Sequence, residues 1–208
     1  MKSNKKLFET KIITLGDSHV GKSSLIIKFI ENKFSLSYIS TVGFDLKYKT
    51  LKLDDDEEIK IVIHDTAGQE RFKSLAANYI KKAKGILLVY DITDKRSFES
   101  LGNWMNDIEE EEVADKVPII LVGNKSDLEE ERVISKQEGE KVAKQYNLKF
   151  YETSCKNGDN VENCFLDLAR QIVDRMKEKK GNNSQENINN LNISNKKKKK
   201  NRQDCCHY

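Results

Sequence analysis

One proline and ten glycines in 208 residues leave few breaks for long irregular loops, so most of the chain is expected to run through regular elements. No stretch approaches the length and apolarity of a transmembrane helix. The opening MKSNKKLFETKIITLGDS carries basic residues, but its apolar run is interrupted and soon meets Gly16 and Asp17, so the core of a signal peptide is missing. The four cysteines form no disulfide framework: Cys155 and Cys164 stand apart in the body of the chain, and Cys205 and Cys206 are adjacent near its end. A reducing, cytosolic setting follows. Asn182-Asn183-Ser184 and Asn192-Ile193-Ser194 match the glycosylation pattern, but an Asn-rich stretch matches it by chance and a cytosolic chain would not be modified.

What is present is unevenly distributed. From Lys177 to Tyr208 there are nine Lys/Arg against three Asp/Glu, a net +6, so the +3 of the whole chain leaves residues 1–176 at −3. The length suits one folded domain with a sizeable core. That domain is expected over 1–176. After Met176 the hydrophobic pattern dissolves into KEKKGNNSQENINNLNISNKKKKKNRQD, too polar to offset the entropy of ordering, so 177–208 is expected to be a disordered polybasic tail.

Short apolar runs rich in β-branched residues recur at Lys11–Leu15, Phe44–Leu53, Ile59–His64, Gly85–Tyr90, Val117–Val122 and Lys149–Thr153, which implies six strands. The second and third flank the acidic DDDEE and read as an antiparallel hairpin. Helical periodicity is clearest over Asn160–Met176, where Val161, Cys164, Phe165, Leu168, Ile172, Val173 and Met176 share one face. Strands alternating with helices imply an α/β fold: a six-stranded, mostly parallel sheet with one antiparallel strand and helices on both faces.

The first strand ends in Gly16-Asp17-Ser18-His19-Val20-Gly21-Lys22-Ser23, followed by Leu25, Ile26, Phe29 and Ile30 at helical spacing. This is GxxxxGKS between a strand and a helix. Gly16 and Gly21 let the backbone wrap N–H groups around phosphates, and the helix presents its positive end to the anion. Lys22 can reach the β- and γ-phosphates, and the Ser23 hydroxyl can ligate the bridging magnesium. The bland alternative, a glycine turn, does not ask for the Lys-Ser pair. His19 stands where a smaller residue would be more accommodating, and its side chain is expected to point outward. A second signal follows the hairpin, where IKIVIH runs into Asp65-Thr66-Ala67-Gly68-Gln69-Glu70. Asp65 is suited to a magnesium-linked carboxylate, the Gly68 N–H to a close approach to the γ-phosphate, and Gln69 to orienting a water.

Two more loops follow parallel strands, Asn124-Lys125-Ser126-Asp127 and Thr153-Ser154-Cys155-Lys156, at the carboxyl ends where open α/β sheets bind ligands. The Asp127 carboxylate can accept two N–H bonds from one edge of guanine. Adenine lacks that donor pair, a mismatch costing on the order of 1–3 kcal/mol. Lys125 and Lys156 can lay their stems over the base, and the Ser154 backbone N–H can mark the guanine oxygen. By itself NKSD is also an ordinary solvated turn.

GDSHVGKS, STVGFDLK, IHDTAGQERF, LVYDIT, GNKSD and TSCK, in this order and spacing, resemble the Ras superfamily of small GTPases and, more closely, its Rab branch. The resemblance runs from about Lys5 to Met176 and returns in the last four residues. It implies a P-loop NTPase of the small GTPase G-domain type that binds GTP or GDP with Mg2+. The nucleotide-contacting set it implies is Ser18, His19, Val20, Gly21, Lys22, Ser23 and Ser24 of the first loop; Phe34 against the guanine edge; Ser40, Thr41 and Gly68; and Asn124, Lys125, Asp127, Leu128, Ser154, Cys155 and Lys156. Magnesium would be held by Ser23, Thr41 and Asp65, and catalysis carried by Gln69, Lys22 and Thr41. The first switch would be Tyr38–Gly43 and the second about Asp65–Tyr79. Within the family the LGNWMNDIE stretch looks closest to the subgroup numbered eighteen. His64 stands where Rab proteins usually have Trp, Leu46 where they have Phe, and Cys155 where they have Ala; Tyr79 is retained.

The reaction implied is phosphoryl transfer to water, with no general base and no arginine placed in cis, hence slow; a partner's arginine would add roughly 10³–10⁵-fold. A lysine run is ordinarily a solvated tail, a nuclear address or a nucleic-acid patch. Followed by Cys205-Cys206, Lys196–Lys200 instead resembles the Rab pattern for two geranylgeranyl groups, which would anchor the chain stably. The implied partners are guanine nucleotide, a membrane, effectors, an exchange factor, a GTPase-activating protein, and a prenylation escort and dissociation inhibitor, with no nucleic acid and a monomeric chain. The implied place is the cytoplasmic face of an intracellular membrane, in exchange with cytosol, in membrane trafficking. Two other readings compete: a GTP-binding module with negligible hydrolysis, which Gln69 and Thr41 oppose, and an ATP-using P-loop kinase, which NKSD and TSCK oppose.

Overall fold

The computed structural model describes residues 6–35, 44–54, 57–66, 73–114 and 116–179. The chain divides into two compact units, Met1–Ile172 and Val173–Tyr208. In the first, six strands form one sheet: β1 (Lys6–Leu15), β2 (Phe44–Lys52), β3 (Glu57–Thr66), β4 (Gly85–Asp91), β5 (Ile119–Asn124) and β6 (Lys149–Thr153). Their spatial order is β2-β3-β1-β4-β5-β6. Only β2 is antiparallel to its neighbour β3, and every other pairing is parallel. The expected six-stranded, mostly parallel sheet is thus observed.

The strand ends depart from the apolar runs for identifiable reasons. β1 starts at Lys6, five residues before the expected Lys11, because Lys6–Thr10 continues the parallel ladder against Glu57–Ile61. Leu7 and Glu9 lie exposed on the open face while Phe8 and Thr10 are buried, an alternation that hides the strand from a search for apolar runs. β5 starts at Ile119 rather than Val117, since Pro118 has no N–H to offer; its carbonyl still accepts from Ile86 N at 3.0 Å. Every residue of β4 and β5 is buried, as expected of parallel strands covered on both faces.

Helices follow the strands as α1 (Lys22–Glu31), α2 (Lys73–Ile80), α3 (Lys95–Glu99), α4 (Leu101–Glu110) and α5 (Lys136–Gln145). A last helix, α6, covers 161–179, one residue later than expected at its start because Asn160 takes a left-handed conformation (φ 55°) and donates its side-chain amide to Glu152 O. On one face of the sheet Phe29 of α1 stacks on Phe165 of α6, ring centroids 3.9 Å apart and nearly parallel, a contact of about 1 kcal/mol beyond its area. On the other face Leu101, Trp104, Met105 and Ile108 of α4 and Ala143 of α5 pack on Ile13, Leu88 and Leu121. Both layers bring helix N-termini and loops to the carboxyl edge of the sheet. Among the described residues no helix is long and apolar enough to cross a membrane.

Candidate functional site

The Gly16–Lys22 loop leaves β1 with Gly16, His19 and Gly21 at positive φ, 136°, 67° and 94°. A Cβ on Gly16 would run into the Val89 carbonyl, and one on Gly21 into the Asn124 side-chain amide, so both positions require glycine. His19 adopts the left-handed region that histidine tolerates better than most side chains, and it is exposed, as expected. Ser18, Ser23 and Ser24 are half-buried and Val20 is buried. The first N–H groups of α1, which begins at Lys22, have no carbonyl one turn earlier in the helix and open onto this loop.

The Lys22 side chain folds back over the loop and donates to Gly16 O at 2.9 Å and Asp17 O at 2.7 Å. Burial lowers its pKa from 10.5 to about 8, against the opposing pull of Asp65 and then Asp17. Asp65, near the end of β3, is therefore within electrostatic reach of Lys22, and it is buried as well. Ser23 and Asp65 contribute only oxygen donors, the set that magnesium takes, and a buried carboxylate calls for a cation beside it. The two residues fit such an ion.

The base loops meet the phosphate loop through Asn124, which is 1% exposed. Its amide donates to Val20 O at 2.8 Å, and its Oδ1 accepts from Thr153 Oγ1 at 3.0 Å and from the Cys155 thiol at 3.4 Å. Ser154 Oγ donates to Asp127 Oδ1 at 2.6 Å while accepting from Asn157 N, so the Asp127 carboxylate is oriented from the neighbouring loop. Leu128 is half-buried beside it, and Phe34, just past α1, is 40% exposed. Burial pushes the Cys155 thiol up to about 11, with Asn124 pulling the other way, which leaves it protonated and unreactive near neutrality.

One expectation changes here and one anchor is new. The Ser154 N–H donates to Asp159 O at 3.1 Å, so this amide closes its own loop and is already committed rather than available to a guanine oxygen. Lys125 has φ 67° and its ammonium pairs with Asp91 at 2.5 Å, an anchor the sequence reading did not contain; Lys156 is exposed. Asp91 is buried and also accepts from Thr93 N and Oγ1. An acid closing the apolar run GILLVY was the available signal, the same one that marked Asp65. Arg132, Glu152 and Trp104 were missed too: Arg132 forms two bonds to Glu152 at 2.7 and 3.1 Å, and Trp104 donates to Asp17.

Leu46 and His64 are direct partners across β2 and β3, and the His64 ring lies 5.0 Å from that of Tyr79, so these three residues sit together, with Leu46 57% exposed. Ser40, Thr41, Gly68, Gln69, Cys205 and Cys206 lie outside the described residues.

A family model described as Ras family matches residues 11–174. The chain is 46% identical over 179 residues to Ras-related protein Rab-8A of Pongo abelii, covering 86% of each chain. It is 45% identical over 174 residues to Ras-related protein Rab-8 of Diplobatis ommata, covering 84% of this chain and 82% of the relative. With Ras-related protein Rab-13 of Rattus norvegicus it shares 43% over 188 residues, 90% of this chain and 92% of the relative. These three bear subgroup numbers other than the one LGNWMNDIE resembles.

Proposed function

This chain belongs to the Ras family of small GTPases, as a member of the Rab type that hydrolyses GTP, and from that premise we propose that it is a slow, membrane-anchored switch in membrane trafficking. The observation that carries most weight is the Asn124 junction: one buried side chain joins the loop suited to phosphates to both loops suited to the base. A ligand with phosphates at one end and a purine at the other matches such a cradle.

In this reading Lys22, the Gly21–Ser24 amides and the N-terminus of α1 bind the β- and γ-phosphates, and Asp127, held by Ser154, reads guanine. The donor to the guanine oxygen passes from the Ser154 N–H to the next amide, that of Cys155. Ser23, Asp65 and Thr41 would hold magnesium, which when bound offsets charge on the phosphates. Gln69 orients the attacking water, and Lys22 stabilises charge that grows toward the leaving group. In this reading the group beside the attacking water is the Gln69 amide, which orients the water without removing its proton, and that accounts for a slow rate. Thr41 and Gly68 would sense the γ-phosphate, so its loss changes the surface around Leu46, His64 and Tyr79 that effectors meet. Residues 1–176 form the switch domain in this proposal. The 177–208 tail would carry two geranylgeranyl groups on Cys205 and Cys206 and place the protein on the cytoplasmic face of an intracellular membrane. Exchange factor, activating protein, escort and dissociation inhibitor complete the cycle.

The test is binding of mant-GTP and mant-ATP with magnesium, then single-turnover phosphate release by the parent and a Gln69→Leu variant. Guanine-selective binding with slow release, slower still in the variant, is expected. Equal competition by ATP would sink the base assignment. GTP bound but never cleaved, even with candidate activating proteins, would leave only a binding module.

A further inference from the structure

The indole Nε1 of Trp104 donates to Asp17 Oδ1 at 2.8 Å, joining residues 87 apart in sequence. Trp104 is fixed independently of any ligand: it lies on α4, 8% exposed, in the core cluster with Leu101, Met105 and Ile108. Asp17 is the second residue of the phosphate loop, and its carbonyl accepts from Lys22 Nζ at 2.7 Å. The loop carries three residues at positive φ. Asn124 holds it at Val20, and the indole holds it at Asp17.

We propose that Trp104 is a positioning residue for nucleotide retention: anchored in the core, it holds the Asp17 carboxylate and thereby sets the phosphate loop and the Lys22 ammonium. The inference rests on the nucleotide-binding reading above. A buried indole N–H needs some acceptor, and a carbonyl of its own layer would satisfy it. Here the acceptor is instead a charged group on the loop, a stronger bond that transmits position from α4 to the site. Because Trp104 is the chain's one tryptophan, its emission reports on that bond.

The experiment uses the full chain with magnesium and follows mant-GDP release from the parent, Trp104→Phe, Asp17→Ala and the double variant. Each single change should speed release by roughly fivefold or more, the loss of one charge-assisted hydrogen bond. The double should release no faster than the faster single variant, since both remove the same link. Trp104→Phe also loses core packing, so its melting temperature should fall further than that of Asp17→Ala while the two speed release alike, which separates stability from retention. Stripping GDP should shift Trp104 emission in the parent and not in Asp17→Ala. Singles within twofold of the parent, or rates that multiply in the double, would overturn the proposal. Should Trp104→Phe fail to fold, Asp17→Ala decides alone, because that site is only partly buried and unchanged release there is a refutation. A parent that retains no mant-GDP overturns the functional reading and this inference with it, whereas a binding parent with unchanged variants overturns this inference only.

Discussion

The side-chain amide of Asn124 donates to the carbonyl of Val20 at 2.8 Å, across 104 residues of chain, and in doing so closes β5 onto the phosphate loop. Replacing Asn124 with Ala leaves the Val20 carbonyl and the Thr153 hydroxyl buried with one partner fewer each. The expected loss is about 2–3 kcal/mol in urea unfolding, with guanine-nucleotide affinity falling by at least about tenfold. An unchanged unfolding midpoint would show that the junction contributes nothing.

Arg132 and Glu152 form a bidentate pair with side chains only 16% and 14% exposed, and the pair joins the segment after Asp127 to the strand before Ser154. Glu152 holds the Arg132 guanidinium charged, and the same contact braces the two base loops. Glu152→Gln should cost about 1–3 kcal/mol, and Arg132→Ala a similar amount, because each strands a half-buried partner. In a double-mutant cycle the two should be strongly non-additive. Simple additivity in chemical denaturation would count against the brace.

Tyr90 is fully buried, yet its hydroxyl has no hydrogen-bond partner among the described residues. Tyr90→Phe should therefore be neutral or stabilise by about 1 kcal/mol. A Cβ on Gly139 of α5 would lie 2.5 Å from that hydroxyl and 2.6 Å from the Phe150 ring. Gly139→Ala, ordinarily favourable inside a helix, should instead destabilise by about 1–3 kcal/mol, and by less when Tyr90→Phe is present. Thermal melts of the three variants decide it.

Burial raises the thiol pKa of Cys155 from 9.0 to about 11 and raises that of Cys164 as well. Well below pH 9 both thiols are neutral folded or unfolded and add no pH dependence. Between pH 9 and 11 the unfolded chain ionises while the folded one resists, so stability should fall as pH rises through that window. Iodoacetamide at pH 7.5 should leave both residues unmodified in the native protein and alkylate them in urea, as read by mass spectrometry. Labelling of native Cys155 would mean that the loop after β6 opens.

The glycine loop, the apolar strands and the polar loops at their carboxyl ends were legible because each is a local pattern, one chain segment whose spacing carries its own geometry. The fold class followed from the alternation of those segments. Strand ends were less legible: Lys6–Thr10 looks too polar for a strand until its parallel partner is beside it, and Val117 looks like one until Pro118 withholds its N–H.

The order of elements, and the residue types that stand at the edge of the sheet, are written locally along the chain. How those residues are held depends on contacts that exist once the chain has folded. Asn124 under the phosphate loop, Lys125 on Asp91, Arg132 on Glu152 and Trp104 on Asp17 are side-chain choices among several possible partners. The Ser154 N–H, committed to Asp159, shows the same limit from the other side. A donor's partner depends on distance in space, and no periodicity along the chain encodes that distance until the sheet has brought its loops together.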